Sequence, residues 1–334
     1  MPESVLSLVA GWCADRVLGD PSRGHPVAGL GWVAGRLERG LWGPARWRGA
    51  VFAGLLVAGA AALAACCDRA LQRWPLARAM AGGLWVWACL GGKSLEKAGG
   101  ELATAVASGD LASARRLLPT LAGRDPAGLD AAELCRAGIE SVAENTADAV
   151  IGPLFWGAVG GLPAMAAYRA ANTLDAMVGH HSERYERFGW AAARLDDLLG
   201  WAPARFGAAI AVLLAPVAGG SRSQAWATLR RDGASHPSPN AGRLEAAFAG
   251  ALGVTLGGTN RYGDRIEHRP LLGAGPAPGP EALARAVRLS RATGWAAAGL
   301  ASVVLGLRQL RGRQVLGRQR LRRREAGARE TGAR

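Results

Sequence analysis

Six windows without a single charged residue divide the chain: 4–14, 49–67, 79–92, 149–168, 206–221 and 292–307. A helix that crosses about 30 Å of hydrocarbon needs roughly 20 apolar residues, with about 17 as the lower limit. Only 49–67 and 149–168 reach that length, and the others cross if flanking Arg and Trp side chains extend to the interface. The chain has twelve Trp, and Trp12, Trp42, Trp47, Trp74, Trp85 and Trp295 lie near window ends, as interfacial anchors should. The pattern predicts an all-α polytopic membrane protein with about four to five apolar helices, some short or re-entrant, and helical loops between them. A large Ala-rich soluble bundle is the alternative. Segments 95–118 and 129–148 read as helices, 271–280 reads as a linker, and no run alternates as a strand should.

Composition sharpens the membrane reading without deciding it. Half the residues are hydrophobic, yet mean hydropathy is only +0.09, because Ala and Gly fill the apolar windows. The net charge of +14 is concentrated: residues 308–334 hold ten Arg against Glu325 and Glu330. That places a single domain over 1–307, followed by a basic and disordered tail, and argues against a nucleic-acid binder, which needs its charge on a folded face. If every window from residue 49 onward crosses, the two sides carry 22 and 18 Lys/Arg. If the last window lies along the surface or re-enters instead, the split becomes 32 to 8, which favours a tail on the cytoplasmic side. The opening residues have no basic stretch before their short apolar core and predict no signal peptide. Cys13, Cys66, Cys67, Cys89 and Cys135 show no metal-ligand spacing and read as free thiols.

Candidate chemistry gathers between residues 140 and 197. Glu140, Glu144 and Asp148 at i, i+4, i+8 form a self-repelling carboxylate ridge on one helix face. Asn172 and Asp175 share a face at i, i+3, His180 and His181 follow, and Asp196 and Asp197 close the run. Between the two clusters lies an apolar stretch broken by Pro153, Gly157, Gly160, Gly161 and Pro163, a poor straight helix. Irregular backbone at membrane depth is tolerated where it is buried in protein or lines a cavity. The expectation is that 149–168 and 206–221 form a re-entrant or partly buried pair, which brings both acidic clusters to one cytoplasmic site.

Other motifs flank this stretch. Gly19-Asp20-Pro21 predicts the turn that ends the first helix, and His25-Pro26 holds the histidine extended. A second His-Pro stands at His236-Pro237, ahead of Asn240, and Gly257-Gly258-Thr259-Asn260-Arg261 offers close backbone approach with a cation. Gly91-Gly92-Lys93-Ser94 ends like a phosphate-binding loop, but the glycine required five residues earlier is Trp87. Dinucleotide, zinc-protease and serine-hydrolase motifs are absent.

Taken in order, Leu18-Gly19-Asp20-Pro21 with His25-Pro26-Val27, Glu140 to Asp148, Asn172-Thr173-Leu174-Asp175, Asp232 to Asn240, and Gly257 to Asn260 resemble the cobalamin-biosynthesis membrane protein family known as CbiB or CobD. The resemblance covers roughly residues 4–307. It implies adenosylcobinamide-phosphate synthase activity, which joins adenosylcobyric acid to aminopropanol or its O-phosphate as an amide, with ATP. A carboxylate needs its oxygen made into a leaving group, so the implied route is an acyl phosphate attacked by the amine, with Mg²⁺ bridging phosphates. For that chemistry Glu140, Glu144, Asp148 and Asp175 are the catalytic candidates, and Glu144, Asp148 and Asp175 the metal candidates. Lys93, Arg261 and His236 are candidates for phosphate contact, and Asn145, Asn172 and Asn260 for the corrin amides, with His25 and Asn240 in the binding motifs. Expected partners are the corrinoid, the amine, membrane lipid, and further copies of itself or other membrane enzymes of the pathway, with no nucleic acid. A membrane transporter or sensor of a related polar ligand is the alternative function.

Overall fold

The computed structural model describes residues 3–21, 23–180, 182–262 and 265–331, so His181 lies outside it. In chain order the helices are α1 (Glu3–Leu18), α2 (Pro26–Leu41), α3 (Arg46–Ala70), α4 (Pro75–Cys89), α5 (Gly92–Ala107), α6 (Leu111–Leu117), α7 (Ala131–Thr146), α8 (Gly152–Leu174), α9 (Trp190–Leu213), α10 (Arg222–Asp232) and α11 (Ala241–Leu252). A two-stranded antiparallel hairpin, β1 (Leu256–Tyr262) and β2 (Arg265–Leu272), precedes α12 (Pro280–Thr331). Local signals place several starts. His25 is extended and accepts the Val27 N–H at 3.2 Å ahead of Pro26, and Asp130 with Glu133 forms a reciprocal capping box on α7. Gly19, at φ +61, ends α1 where the Gly-Asp-Pro turn is expected.

The chain reverses direction inside α8. Gly161 adopts φ 71, ψ −164, which an L side chain rarely tolerates, and Pro163 follows it. The two halves of α8 then pack on each other: Met165 covers Gly157, and the Tyr168 ring lies against the Cα of Gly152. Each half is roughly half a membrane thick at 1.5 Å per residue. The apolar segment 149–168 is therefore a helical hairpin, with residues 148 and 172 side by side at its base.

Two segments, Arg46–Ala70 and Ala131–Gly179, are long and apolar enough to cross a membrane. The second is the one that doubles back. Around the hairpin, Leu8 and Trp12 of α1, Val86 of α4 and Ala297, Ala301 and Leu305 of α12 form one core. A second core, built from α5, α6, α7, α10, α11, the end of α9 and the start of α12, carries the loops of the site.

Four expectations need correction. Segment 206–221 does pack on 149–168, with the Phe206 ring 5.9 Å from that of Phe155 and Ile210 in the hairpin core, but it continues α9 and does not fold back as a re-entrant arm. Ala208, Ala211, Ala215 and Ala218 are buried in the helical core beside α11, because their small side chains allow close helix contact. Strands do occur: β1 and β2 take in Leu271 and Leu272 of the expected linker, and Arg136 pins β1 through the carbonyls of Gly257 and Thr259, so hydrophobic alternation is not what forms the hairpin. Window 292–307 does not lie apart on the surface. It runs beside α1, with Trp295 edge-on to Trp12 at 5.2 Å, and reaches the hairpin tip. Finally, α12 does not stop at residue 307; its helix continues through the basic segment to Thr331, where Arg, Leu, Gln and Ala are good helix formers.

Arg308 explains one consequence of that path. Its Nη1 donates to the carbonyls of Ala158 and Val159 at 2.7 and 2.5 Å, which the break at Gly161 leaves without helical partners. The basic segment thus begins at the hairpin tip, at the end of the bundle away from residues 148 and 172. Arg308→Ala is expected to cost about 1–3 kcal/mol of stability. Truncation after residue 311 leaves this cap in place and should leave the thermal midpoint unchanged; equal loss from both variants in a melting experiment would contradict this assignment.

Candidate functional site

Both acidic clusters sit on widened helical turns. Asp148 lies in a π-turn, Ala147–Ile151, between α7 and α8, and Asp175 opens a second, Asp175–Gly179, at the end of α8. Such turns shift the side-chain register by one residue and are frequent at functional sites. Here they aim the two clusters at each other across the hairpin base. Asp148 accepts hydrogen bonds from Asn172 and Tyr168 and feels the charges of Asp196, Glu144 and Asp175. Asn172 Nδ2 also donates to Asp196 Oδ1 at 3.3 Å. Glu144 is surrounded by protein and still exposed, so it lines an open cleft.

Burial, and then the neighbouring Asp175 charge, pushes Asp196 from 3.8 up to about 7. Asp197 is raised as well, chiefly by burial. Asn240, the N-cap residue of α11, donates to the Asp197 carbonyl at 2.8 Å and so ties α9 to α11 beneath these acids.

Glu140, first in the ridge, has a different environment. It is 1 % exposed and accepts from Arg124 Nη2 at 2.5 Å, Arg136 Nη1 at 3.3 Å and the Gly257 N–H at 2.7 Å. Both guanidinium groups also reach Asn260 Oδ1, at 2.9 and 3.0 Å. Glu140 therefore fastens the Gly257–Asn260 loop to α7, and Asn260 keeps its Nδ2, buried and without a partner, as a donor beside the cleft. Glu140→Gln leaves the buried Arg124 and the half-buried Arg136 short of their counter-charge. The expected loss is about 3 kcal/mol, read by thermal unfolding; a variant as stable as the parent would show that the loop is held by something else.

The other predicted residues separate into groups. His236 is buried, accepts the Ser238 N–H on Nδ1 at 3.0 Å and turns Nε2 toward Glu245 Oε1 at 3.7 Å, beyond hydrogen-bond reach, so its ring faces a buried carboxyl in the protein interior. Burial keeps the His236 imidazole neutral and raises the Glu245 carboxyl, whose two oxygens have no hydrogen-bond partner. Lys93 is exposed at the start of α5 and stands with the first motif: its Cγ packs on Gly19, and Ser94 Oγ accepts the Asp20 N–H at 3.0 Å. His25 Nε2 lies 3.6 Å from Asp20 Oδ1, and burial lowers its pKa. The Gly91 N–H donates to Ala149 O at 3.1 Å, which sets this corner beside Asp148. Arg261 is exposed on β1, and its carbonyl accepts the Asp125 N–H at 2.9 Å. Asn145 donates to Ser141 O at 2.9 Å within its own helix, with its carbonyl oxygen left for other contacts.

Parts of the site left no usable trace in the sequence. Arg124 and Glu245 stand in no motif, and Arg169, whose Nη1 reaches Asn172 Oδ1 at 3.4 Å, lies inside an apolar run. Arg136 had a signal, since it precedes Glu140 by four residues. Among the described residues no three His, Cys, Asp or Glu side chains stand close enough to chelate one ion. The donor set is nonetheless all carboxylate oxygen, which suits a hard cation held by one or two acids, with waters and phosphates completing its shell.

The family profile described as CobD/Cbib protein matches residues 8–290. The chain is 50% identical over 301 residues to the protein named cobalamin biosynthesis protein CobD of Mycobacterium tuberculosis strain H37Rv, covering 90% of this chain and 95% of that one. It is 42% identical over 275 residues to the CobD of Rhodobacter capsulatus, with 80% and 85% covered. With the CobD of Geobacter metallireducens it shares 43% over 278 residues, covering 82% and 87%. No solved structure gives a significant match.

Proposed function

Because the chain belongs to the CobD/CbiB family of cobalamin biosynthesis, we propose that it forms the amide between a corrinoid carboxylate and aminopropanol or its O-phosphate, at the expense of ATP. The observation that carries this reading is the meeting of Glu144, Asp148, Asp175 and Asp196 at the hairpin base, with Asp196 titrating near neutrality. Forming the amide requires that the carboxylate oxygen leave as phosphate and that the amine lose a proton. Mg²⁺, when bound, neutralises phosphate charge during that transfer. One or two of Glu144, Asp148 and Asp175 would hold it, with waters and phosphates completing its shell. Asp196, half protonated near pH 7, suits a proton acceptor for the incoming amine.

The Asn145 carbonyl would accept from a corrin amide, the buried Asn260 would support the loop beside it, and exposed Lys93 and Arg261 are our candidates for phosphate contact. Glu140 and Asn240 act through others, the first on the Gly257–Asn260 loop and the second on Asp197. ATP is cytoplasmic, so the acidic end faces the cytoplasm in a multi-pass arrangement of α1, α3, α4 and α12 around the hairpin. The basic segment, which starts at the opposite end, then departs from the cytoplasmic placement that the Lys/Arg count favours. Membranes that carry the full chain should consume adenosylcobyric acid only with ATP and the amine, with and without its phosphate compared. A substrate flux into vesicles with no amide formed would replace this reading by a transporter.

A further inference from the structure

A groove of about 930 Å³ runs between α2, α3, α4 and the second half of α8. Leu30, Leu56, Leu63, Leu84 and Trp85 line it, and Arg169 is the one charged residue among the described residues of its wall. Its α3 wall belongs to one of the two segments long and apolar enough to cross a membrane, with a window of mean hydropathy 2.3 of which only 22% is buried. Such a helix faces hydrocarbon, so a space opening along it fills with hydrocarbon and not with water. At the inner end the chemistry changes. Arg169 Nε is buried without a partner, and Nη1 makes only a long 3.4 Å contact with Asn172. A half-buried guanidinium with a buried, unpartnered Nε, in a wall whose described residues hold no carboxylate, calls for an anion.

We propose that this groove holds one acidic phospholipid, its acyl chains along α3 and α4 and its phosphate on Arg169. The inference rests on the membrane reading of the chain. The wall carries one positive and no negative charge, which favours a lipid of net negative charge over a zwitterion of the same chain length. The phosphate would lie one side chain from the acidic site, since Asn172 bridges Arg169 and Asp196.

Native mass spectrometry of the full chain, purified in detergent and supplied with phosphatidylglycerol or phosphatidylcholine, tests this. The parent should retain one phosphatidylglycerol and prefer it about tenfold over phosphatidylcholine. Gly59 lines the groove with open space at its Cβ position, so Gly59→Trp should fill the groove and release the lipid. Gly54, equally open and outside the groove, provides the control: Gly54→Trp should keep it. Arg169→Gln should retain lipid but lose the headgroup preference. Equal retention of both lipids by the parent, no retained lipid, or retention by Gly59→Trp would overturn the proposal. A chain that never enters the membrane fraction would instead defeat the membrane reading itself.

Discussion

Asp196→Asn should make the protein more stable and nearly inactive. The folded environment holds the Asp196 carboxyl at about 7 against 3.8, through burial and then the Asp175 charge. An acid whose folded pKa is raised binds its proton more tightly in the fold than in the unfolded chain. Its stabilising protonation is fully present below about pH 4 and is lost as pH rises through about 7. At neutral pH and above, the parent therefore bears a repulsive charge that the amide does not, and the variant should gain on the order of 1–3 kcal/mol. The parent, free of divalent cation, should melt at lower temperature as pH rises from 5 to 8, and Asp196→Asn should flatten that slope. Mg²⁺ should restore part of the midpoint at pH 8. Activity should fall about 100-fold or more, because a positioned proton acceptor contributes at least that much. Thermal melts across pH together with the amide-forming assay check both halves. An Asp196→Asn protein that keeps full turnover would remove Asp196 from the chemistry, and an unchanged pH slope would remove it from the charge cluster.

Gly152→Ala should be the most damaging small substitution in the hairpin. A Cβ at that position would stand 2.1–2.3 Å from the Tyr168 ring and hydroxyl, inside any tolerable contact. Tyr168 is fully buried and donates to Asp148, so it has nowhere to retreat. The two halves of α8 must then separate, and Asp148 moves away from Asn172. Overpacking of this kind costs about 1–3 kcal/mol, occasionally more, and here it also divides the site. The expected result is a lower melting temperature with loss of activity. Pairing the change with Tyr168→Ala should recover most of the stability but not the turnover. If Gly152→Ala alone remained active, the tight closure of the hairpin would not be what assembles the acids.

Much of the site was legible before any coordinates. The ridge of Glu140, Glu144 and Asp148 and the later Asn172 and Asp175 announce themselves by spacing, and the Gly- and Pro-broken stretch between them announces a fold-back. What spacing did not separate was role. Glu140 and Glu144 are one turn apart, yet one is locked by Arg124, Arg136 and the Gly257 amide while the other opens into the cleft. That difference comes from a hairpin more than a hundred residues away. The strands themselves escaped notice because side-chain contacts to α7, not an alternating apolar face, hold them in place.

Local chemistry alone therefore determined the helical character, the start of α2 at His25-Pro26, the break at Gly161 and the membership of the family. These depend on backbone preferences and on patterns that repeat within a few residues. The tertiary structure decided which acids face one another, which histidine faces Glu245, and where Arg308 brings the basic segment. Each of those depends on burial and on partners distant along the chain, and a carboxylate's charge state follows from its surroundings.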